Sequence, residues 1–466
     1  MKDFRQQAHR LADWIADYLE DPGRYPVLSR VRPGDIRDAL PARAPERGES
    51  FDAIFSDFER VILPGVTHWN HPGFFAYFAI TGSAPGVLAE FLSAALNQQA
   101  MLWRTSPAAT ELEEVTLAWL RRLIGLPDAF EGVIYDTASV STLHALAAAR
   151  EAAVPEVRAS GLAGRADLKG VRVYCGEHAH SSVDKAVILL GLGHDALTRI
   201  PADAEFRMRP ELLATSIAAD RAAGLLPMAV VATVGSTSST SVDPVDEIAT
   251  ICARERVWLH IDAAYAGVAA MVPGYEWILR GADRADSLVV NPHKWLFVPF
   301  DLSVLYCRRM DVLRQAFSLT PEYLKTSEGD AGVRNLMDTG IQLGRRFRAL
   351  KLWMVLRHLG ADGFRAHLAE HMRLARLFAE WVDRSDRFER VAPVPFSVVC
   401  FRLRGGVPDE EHQRVLDTIN ASGEVFLSHT KLDGRYVLRL AIGNLNTTER
   451  HVARAWELLN QAAASR

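Results

Sequence analysis

The stretch Leu288-Val-Val-Asn-Pro-His-Lys-Trp-Leu-Phe-Val-Pro-Phe300 contains a single formally charged residue, Lys294. A run of residues this apolar is expected to be largely buried, and an unpaired ammonium group is costly to bury. Burial lowers the pKa of a lysine and leaves a nucleophilic amine, which can form a Schiff base with a carbonyl compound such as pyridoxal phosphate. Most lysines are solvated surface charges, but that interpretation fits these neighbours poorly. Lys294 is therefore a candidate nucleophile that follows a candidate buried strand.

Asp262 is a second candidate, because it ends an apolar run upstream of Lys294, Val257-Trp-Leu-His-Ile-Asp262. A carboxylate at the carboxyl end of a buried strand stands where α/β sheets place groups that bind ligands. Beside the nitrogen of a pyridine ring it would keep that nitrogen protonated, and the protonated ring would withdraw electrons. The alternative is a helix N-cap, since Ala263-Ala264 could begin a helix.

A histidine-rich segment, Glu177-His-Ala-His180-Ser-Ser, follows the apolar run that ends at Cys175. Cys175, His178 and His180 could be metal ligands, but the set is tight and has no second, distant pair. We therefore expect no metal site. An imidazole stacked on a flat cofactor ring is the favoured interpretation.

The segment Thr137-Ala138-Ser139 lies between a candidate strand and an alanine-rich helix. Backbone N–H groups at a helix start, together with a hydroxyl, can bind a phosphate, although serine there is also an ordinary cap. Gly191-Leu-Gly193 lacks the third glycine of a dinucleotide fingerprint, which argues against NAD. The sequence also lacks a GKS/T phosphate loop, an HExxH motif and a serine-hydrolase elbow.

Short apolar strands alternate with helical patterns from about residue 85 onward, which predicts an α/β layer with a mostly parallel sheet. Helical patterns fall between several strands, for example over Ser139–Glu151 and Val245–Glu255. The predicted strands are Gly132–Tyr135, Val171–Cys175, Met228–Val234, Val257–Asp262, Ser287–Asn291 and Leu302–Cys307.

The two ends of the chain differ from this middle part. Apolar residues at helical spacing from Phe4 to Leu19 predict an amphipathic helix, which must pack on another surface. After about residue 340 the pattern is mainly helical, and a strand pair follows near Ser397–Leu403 and Tyr436–Ile442. We therefore expect an N-terminal helical segment over residues 1–84, a large domain over 85–352 and a small α+β domain over 353–466.

Composition excludes several classes of protein. The 466 residues are 49% hydrophobic and 24% charged, which excludes a wholly disordered chain, and glycine and proline show no collagen-like period. The net charge of −4 gives no reason to expect a nucleic-acid or anionic-membrane partner. No apolar run is long enough to span a membrane, and the first residues do not resemble a signal peptide. The four scattered cysteines favour a reduced, cytoplasmic protein.

The motifs Asn291-Pro-His-Lys-Trp, His260-Ile-Asp262-Ala-Ala-Tyr-Ala and Ala179-His180-Ser-Ser resemble those of the group II pyridoxal-phosphate-dependent amino-acid decarboxylases. The likeness is greatest to the aromatic-L-amino-acid decarboxylases. It extends from Trp69-Asn-His-Pro through Leu343-Gly-Arg-Arg-Phe-Arg-Ala-Leu-Lys351 to Glu449-Arg-His451. The resemblance implies fold type I, aspartate-aminotransferase-like, with a central mixed, mostly parallel sheet. It also implies a homodimer with active sites at the subunit interface, against which the N-terminal segment packs.

Carried over residue by residue, the resemblance implies a role for each matching position. Lys294 would hold pyridoxal 5'-phosphate as a Schiff base, Asp262 would hold the pyridinium nitrogen, and His180 would stack on the ring. Tyr323 would protonate the product carbon and so complete the catalytic set. The implied cofactor positions are Ala138, Ser139, His180, Thr237, Asp262, Ala264, Asn291, His293 and Lys294. The implied substrate positions are Trp69, Tyr77, Phe78, Ile80, Met101 and Gly344.

Two of these positions depart from the animal enzymes and leave the substrate open. Ile80 stands where those enzymes have a threonine near the substrate carboxylate, and Met101 stands where they have a phenylalanine from the partner subunit. The aromatic stretch around Trp69 favours an aromatic substrate, although its side chains could also be ordinary core residues. Arg104 could bind the second carboxylate of an acidic substrate, or form a salt bridge at the subunit interface.

The expected function is decarboxylation of an L-amino acid, favouring an aromatic one of the phenylalanine, tyrosine, tryptophan or Dopa type, to an amine and CO2. Within the same cofactor class, the alternatives are an aromatic aldehyde synthase, a decarboxylase of an acidic or diamino acid, and an aminotransferase. A non-catalytic dimeric binding protein would need a damaged site, and the motifs show no damage.

Overall fold

The computed structural model describes residues 3–319 and 333–464. The chain divides into two compact units. The first comprises Met1–Ala79, Leu377–Val391 and Phe401–Arg466, and the second comprises Ile80–Arg376 and Ala392–Cys400. The division into three sections at residues 84 and 352 stays a prediction, since it was made along the sequence and the compact units are defined by contacts in space.

Within the described residues we label the α-helices α1 to α15 and the strands β1 to β12 in chain order. The helices are Phe4–Glu20 (α1), Asp35–Ala39 (α2), Phe51–Asp57 (α3), Ala84–Leu96 (α4), Pro107–Leu123 (α5), Ala138–Ala153 (α6), Val157–Ser160 (α7), Ser182–Leu189 (α8), Pro210–Ala222 (α9), Val245–Glu255 (α10), Pro292–Trp295 (α11), Met310–Phe317 (α12), Ala349–Asp383 (α13), Asp409–Ala421 (α14) and Glu449–Ala464 (α15). The strands are Phe74–Phe75 (β1), Glu131–Tyr135 (β2), Val171–Gly176 (β3), Leu197–Ile200 (β4), Leu226–Thr233 (β5), Trp258–Asp262 (β6), Ser287–Val290 (β7), Ser303–Cys307 (β8), Phe388–Arg390 (β9), Val398–Leu403 (β10), Phe426–Leu432 (β11) and Arg435–Ala441 (β12).

A seven-stranded sheet of order β2-β8-β7-β6-β5-β3-β4 forms the centre of the second unit. Strand β8 runs antiparallel to both of its neighbours, β2 and β7, and the other neighbouring pairs are parallel. The central strands are almost wholly apolar because helices cover both faces of such a sheet. Helix α6 packs on it through small residues such as Ala145, Ala148 and Ala149, which let the helix approach closely. The mixed, mostly parallel α/β sheet is the one expected.

All six strands predicted for the large sheet are present, with ends that differ by at most two residues. Strand β4 was missed, because Thr198 and Arg199 interrupt its short apolar pattern at the edge of the sheet, where only Ile200 is buried. The N-terminal helix is present as α1, and the predicted strand pair near the C-terminus corresponds to β10 and β12.

A smaller sheet has the order β1-β11-β12-β10-β9. Its first strand is the two-residue Phe74–Phe75, which pairs in parallel with Phe426 and Leu427. Strands β11 and β12 form an antiparallel hairpin around Asp433 and Gly434, both of which have a positive φ. Within residues 3–319 and 333–464, every helix is too short or too polar to cross a membrane.

Candidate active site

The candidate site residues of the second unit follow the carboxyl ends of parallel strands. Ser139 follows β2, His180 follows β3, Thr237 follows β5, Asp262 ends β6 and Lys294 follows β7. Because these strands run in one direction, their carboxyl ends lie at the same edge of the sheet. The topology therefore brings two hydroxyls, an imidazole, a carboxylate and an amine, which are far apart in the sequence, to one edge of the sheet.

Asp262 is the last residue of the central strand β6 and is paired in register with Thr233 and Val289. It is buried, with 7% of its surface exposed. Its Oδ1 atom accepts a hydrogen bond from the N–H of Ala264 at 3.1 Å. The next helical segment, a 3-10 turn, begins only at Ala266 and has no side-chain cap. Asp262 is thus not the N-cap of that helix, and one carboxylate oxygen is left for another partner.

Lys294 lies in the short helix α11, between strands β7 and β8. Pro292 starts this helix, and the N–H of Lys294 donates to the carbonyl of Asn291 at 2.9 Å. Every other residue of Leu288–Val298 is buried, while Lys294 is partly exposed. The run Leu288–Phe300 is thus largely buried, as predicted, except at its end, where Phe300 is 57% exposed.

Trp295, the residue that follows Lys294, is held in place by several contacts. Its ring is fully buried and stacks on Tyr265 with centroids 4.7 Å apart and planes 11° apart. Its Nε1 atom donates to Nδ1 of His371 at 3.0 Å. The hydroxyl of Tyr265 in turn bonds with Ser397. The motif around Asp262 and the motif around Lys294 therefore pack directly on each other.

His180 is held by its own segment. Its Nδ1 atom accepts the N–H of Ser182 at 3.1 Å and lies 3.0 Å from the Ser182 hydroxyl. The residue stays open to solvent, yet desolvation of the ring lowers the pKa of His180. The negative charge of Asp262 raises that pKa and the positive charge of Lys294 lowers it further, so the imidazole lies within electrostatic reach of both.

The neighbours of His180 in the histidine-rich segment lie in other surroundings. His178 packs edge-on against Phe206 with centroids 5.3 Å apart. Cys175 is fully buried, and burial raises the pKa of its thiol to about 12. A thiol so protonated is a poor metal ligand and a poor nucleophile at neutral pH.

His293 is buried, and burial is the main reason that its pKa is lowered to about 3. The positive charge of Lys294 lowers it further. Nδ1 of His293 accepts the N–H of Leu302 at 2.9 Å. In the neutral imidazole the proton must then reside on Nε2, which makes His293 a hydrogen-bond donor that carries no charge at neutral pH.

The start of helix α6 offers further donors. Oδ1 of Asp136 accepts both the N–H of Thr137, at 2.6 Å, and its hydroxyl, at 3.1 Å. The helix begins at Ala138, and the side chain of its N-cap residue, Thr137, accepts no hydrogen bond from the N–H groups of the first turn. Ser139 is exposed there, and Thr237 is exposed in the loop after β5.

Two buried side-chain oxygens at this edge have no hydrogen-bond partner among the described residues, Asn291 Oδ1 and Thr233 Oγ1. Buried polar atoms are rarely left unpaired, which makes these two atoms places where a ligand could bond. The set as a whole fits pyridoxal phosphate: a carboxylate for the ring nitrogen, an amine for the aldehyde, and an uncapped helix start with neutral His293 for the phosphate.

Asp243 was not singled out by the sequence, although it lies beside the site. Its Oδ1 accepts the N–H of Met208 at 2.7 Å, and its Oδ2 accepts the N–H of Thr233 at 2.8 Å. Burial raises the pKa of Asp243 to about 6. Through the bond to Thr233, Asp243 closes the loop that carries Thr237. The sequence does not reveal these bonds, because both partners are main-chain N–H groups.

The motif Leu343–Lys351 proves to be a set of ion pairs. Arg345 is buried and donates to Glu113 and to the carbonyl of Ile134, both at 2.8 Å. The remaining pairs are Arg346 with Glu90 at 2.9 Å, Lys351 with Glu90 at 2.6 Å and Arg348 with Asp301 at 2.8 Å. All four cations of this motif are therefore paired with carboxylates of the same unit.

The aromatic positions belong to the first unit. The rings of Trp69 and Tyr77 stack with centroids 5.8 Å apart, and Trp69 also stacks on Phe74 at 4.3 Å. Phe78 is buried beneath the guanidinium of Arg439, whose carbon lies 4.7 Å from the ring centroid. Trp69, Phe74 and Tyr77 therefore form one aromatic group, in which Tyr77 remains 54% exposed.

The remaining implied positions of the second unit have no single environment. Ile80 and Met101 are partly exposed, while Gly344 and Arg104 are exposed. Ala264 is buried, and its carbonyl accepts the N–H of Asn291 at 3.0 Å. Tyr323 lies outside the described residues, so its role stays a prediction.

Comparisons with known proteins give a consistent result. A family model described as the pyridoxal-dependent decarboxylase conserved domain matches residues 33–404. The chain is 41% identical to tryptophan decarboxylase 2 of Oryza sativa subsp. japonica, over 99% of this chain and 95% of that protein. It is 40% identical to phenylacetaldehyde synthase of Arabidopsis thaliana, over 99% of this chain and 96% of that protein. Its fold matches a crystal structure of Oryza sativa TDC with PLP and tryptamine, with a TM-score of 0.95, 38% identity and coverage of 100% of this chain and 98% of that one.

Proposed function

Since the chain belongs to the pyridoxal-dependent decarboxylase family, we propose that it converts an aromatic L-amino acid into the corresponding amine and CO2. It is a carboxy-lyase that depends on pyridoxal phosphate. The observation that carries the proposal is the convergence of Asp262, Lys294 and His180 at one edge of the sheet, beside the unpaired Asn291 oxygen.

Bound pyridoxal phosphate supplies an electron-withdrawing ring, which accepts the electron pair that the departing carboxylate leaves at the α-carbon. In the proposed site the amine of Lys294 binds the cofactor aldehyde. The free oxygen of Asp262 accepts a hydrogen bond from the ring nitrogen and keeps a proton on that atom. The imidazole of His180 would stack on the ring and help to exclude water from it.

The phosphate of the cofactor is proposed to bind at the start of α6 and at His293. Ala138 and Ser139 present amides of the first helical turn there, which favour negative charge. The neutral imidazole of His293 donates its Nε2 proton without adding charge. Thr237, Ala264 and Asn291 complete the proposed cofactor contacts. Tyr323 is proposed to return a proton to the α-carbon.

An aromatic substrate is supported by two features. Trp69 and Tyr77 stack on each other and leave exposed aromatic surface, which suits a flat ring, and we propose Phe78 as a further substrate contact. The cations of Leu343–Lys351 are paired with carboxylates, so they do not offer a charge to the second carboxylate of an acidic substrate. We propose Ile80, Met101 and Gly344 as the other substrate contacts. Relatives of this length and similarity act on tryptophan and tyrosine, as their names state.

Production of an aldehyde is the second candidate function, because phenylacetaldehyde synthase of Arabidopsis is as similar to this chain as several decarboxylases are. The two reactions share the loss of CO2 and differ in what reaches the α-carbon next. A proton gives the amine, whereas oxygen leads to the aldehyde. A tyrosine at position 323 supplies a phenolic proton donor and so favours the amine.

We further propose that two copies of the chain form a homodimer. Helix α4 exposes Leu88, Phe91, Leu92 and Leu96, which are 49–58% exposed. The leucines are spaced four residues apart and therefore lie on one face of the helix. An apolar face of this kind normally marks an interaction surface. Leu92→Glu should give a monomer in sedimentation analysis, and a variant that stays dimeric would place the interface elsewhere.

We propose a cytoplasmic location because the cysteines form no disulfide bonds. Cys175, Cys252, Cys307 and Cys400 are all buried, and none of them forms a disulfide. Buried thiols without disulfide partners suit a reducing compartment. Fractionation of the cells that make the protein, with cytoplasmic and periplasmic or organellar markers, would test this location.

Measurement of kcat/KM for aromatic, acidic and basic amino acids under one set of conditions tests the substrate class. Amine, aldehyde and CO2 should be quantified together, so that both candidate reactions are seen. We expect an aromatic amino acid to be preferred and the amine to match CO2 in amount. A tenfold preference for glutamate or diaminobutyrate, about 1.4 kcal/mol in transition-state binding, would contradict the aromatic assignment.

A further inference from the structure

A cavity of about 250 Å³ lies at the opposite edge of the large sheet from Asp262 and Lys294. Its lining comes from the start of β6, the residues just before β7, those just after the antiparallel strand β8, the ends of α6 and α10, and one residue of β5. Trp258 and Asp262 are the two ends of β6, which at a rise of about 3.3 Å per residue are about 13 Å apart. The cavity is therefore separate from the candidate active site.

Positive charge is concentrated in this cavity. Its lining contains four arginines and one carboxylate, namely Arg256, Arg284, Arg308, Arg309 and Asp286. The chain as a whole has a net charge of −4. The local excess of guanidinium groups is thus a property of this cavity and not of the surface in general.

Two of the arginines are held by the protein itself. Arg284 donates to the Thr250 hydroxyl at 2.9 Å and to the Asp246 carbonyl at 2.8 Å, and it also pairs with the Asp246 carboxylate. Arg308 donates to the carbonyl of Arg284 at 3.2 Å and to Asp286 at 3.4 Å. Asp286 is further engaged by the N–H of Leu259 at 2.9 Å, so its charge is already shared.

Arg256 and Arg309 form no close ion pair within residues 3–319 and 333–464, although Asp286 attracts Arg309 from a longer distance. Arg256 ends helix α10 in a left-handed backbone conformation and is exposed. Arg309 is exposed as well, and its guanidinium carbon lies 5.6 Å from the ring centroid of Trp258. Two guanidinium groups without a close ion pair therefore border a cavity whose other two cations are fixed in place.

We propose that this cavity binds a phosphate dianion, either inorganic phosphate or the phosphate group of a small phosphate ester. Guanidinium groups bind phosphate through two parallel hydrogen bonds, and a doubly charged anion balances Arg256 and Arg309. The volume is below the ~300 Å³ at which pockets for drug-sized ligands begin, so a small anion fits and a nucleotide does not. Trp258 provides an apolar wall on one side.

Calorimetric titration of the holoenzyme, saturated with its cofactor so that the cofactor's own phosphate site is filled, tests the proposal. Inorganic phosphate and glycerol 3-phosphate are titrated at constant ionic strength, which separates specific binding from screening. We expect one saturable site per chain for at least one of the two anions. Arg256→Gln and Arg309→Gln should each weaken binding by about tenfold.

Arg280→Gln is the matched control, because Arg280 is exposed, has no ion pair among the described residues and lies outside the lining. It should bind the anion as the unaltered protein does. Tighter binding of glycerol 3-phosphate would identify an ester as the source of the phosphate, and tighter binding of inorganic phosphate would identify the free anion. Absence of saturable binding by both anions below about 10 mM, or equal weakening by Arg280→Gln, would overturn the proposal.

Discussion

The main-chain N–H of Asn291 donates a hydrogen bond of 3.0 Å to the carbonyl of Ala264. This one bond joins the segment that follows Asp262 to the segment that carries Lys294. The stacking of Trp295 on Tyr265 joins the same two segments a second time. The carboxylate and the amine are therefore positioned by a common support, and a change in either segment is expected to displace both groups.

Lys294→Ala should abolish the visible absorbance of the bound cofactor and lower kcat by at least about 1000-fold, or about 4 kcal/mol, because the covalent attachment of the cofactor is lost. Borohydride reduction and peptide mapping of the unaltered enzyme should label Lys294. Lys431→Ala, at an exposed lysine outside the proposed site, is the control and should behave as the unaltered enzyme. A label on another lysine would disprove the assignment.

Asp262→Asn should keep the hydrogen bond to the Ala264 N–H and lose only the charge. We expect kcat to fall by about 100-fold or more, near 3 kcal/mol, since the ring nitrogen no longer keeps its proton. The melting temperature should change little by comparison. Asp195→Asn at an exposed aspartate is the control, and near-normal turnover by Asp262→Asn would mean that the carboxylate serves only the local turn.

His144 predicts a specific pH dependence of stability. It is buried, and burial lowers its pKa to about 3 from an ordinary value of about 6.5. The unfolded chain therefore takes up the proton first, and the contribution of His144 is complete above about pH 6.5 and is lost as the pH falls toward about 3. Between about pH 4 and 6, His144→Gln should reduce the slope of unfolding free energy against pH by about 1.4 kcal/mol per unit.

The slope is measured by denaturant unfolding at several pH values. His9→Gln, at an exposed histidine on α1, should leave the slope as it is. An unchanged slope in His144→Gln would show that His144 takes up its proton in the folded protein as readily as in the unfolded chain.

The buried pair of Arg345 with Glu113 should matter far more than a surface pair. Glu113→Gln leaves a buried guanidinium without its counter-charge and should destabilise the protein by about 3–5 kcal/mol. Asp383→Asn, which removes the exposed partner of Arg390, should cost less than about 1 kcal/mol. Thermal unfolding of both variants measures the difference, and equal costs would contradict the distinction between buried and exposed pairs.

Tyr323→Phe should divert product from amine to aldehyde, because removal of the phenol removes the proposed proton donor and leaves the α-carbon open to oxygen. Oxygen uptake and aldehyde formation measure the diversion directly. Tyr25→Phe is a control at a tyrosine outside the proposed site. Amine formation at the unaltered rate by Tyr323→Phe would show that another group supplies the proton.

The central strands and their terminal residues could be predicted because their physical signals are local. Strands β6 and β7 are wholly buried, and apart from His260 and Ser287 the residues before Asp262 and Asn291 are apolar, so the polar residue that ends each run stands out. Strand β4 lies at the sheet edge, where Arg199 is exposed and the apolar pattern is lost.

Other features depend on pairs of residues that are distant in the sequence. Glu113 and Arg345 look like ordinary surface charges until the fold brings them together in the interior. Asp243 accepts hydrogen bonds from the main-chain N–H groups of Met208 and Thr233. Such bonds do not depend on the side chains of those two residues, so the sequence does not indicate them. Such partners become visible only in the folded chain.

The antiparallel placement of β8 has a consequence for assembly of the fold. Strands β7 and β8 are neighbours joined only by residues 291–302, so the loop that contains Lys294 closes at a small cost in chain entropy. The pairing of Ile134 with Val304, which brings in the start of α6, closes a loop more than ten times as long. Contacts between distant segments form more slowly during folding. The lysine end of the site is thus expected to be in place before the phosphate end, and capture of the cofactor has to wait for the slower of the two closures.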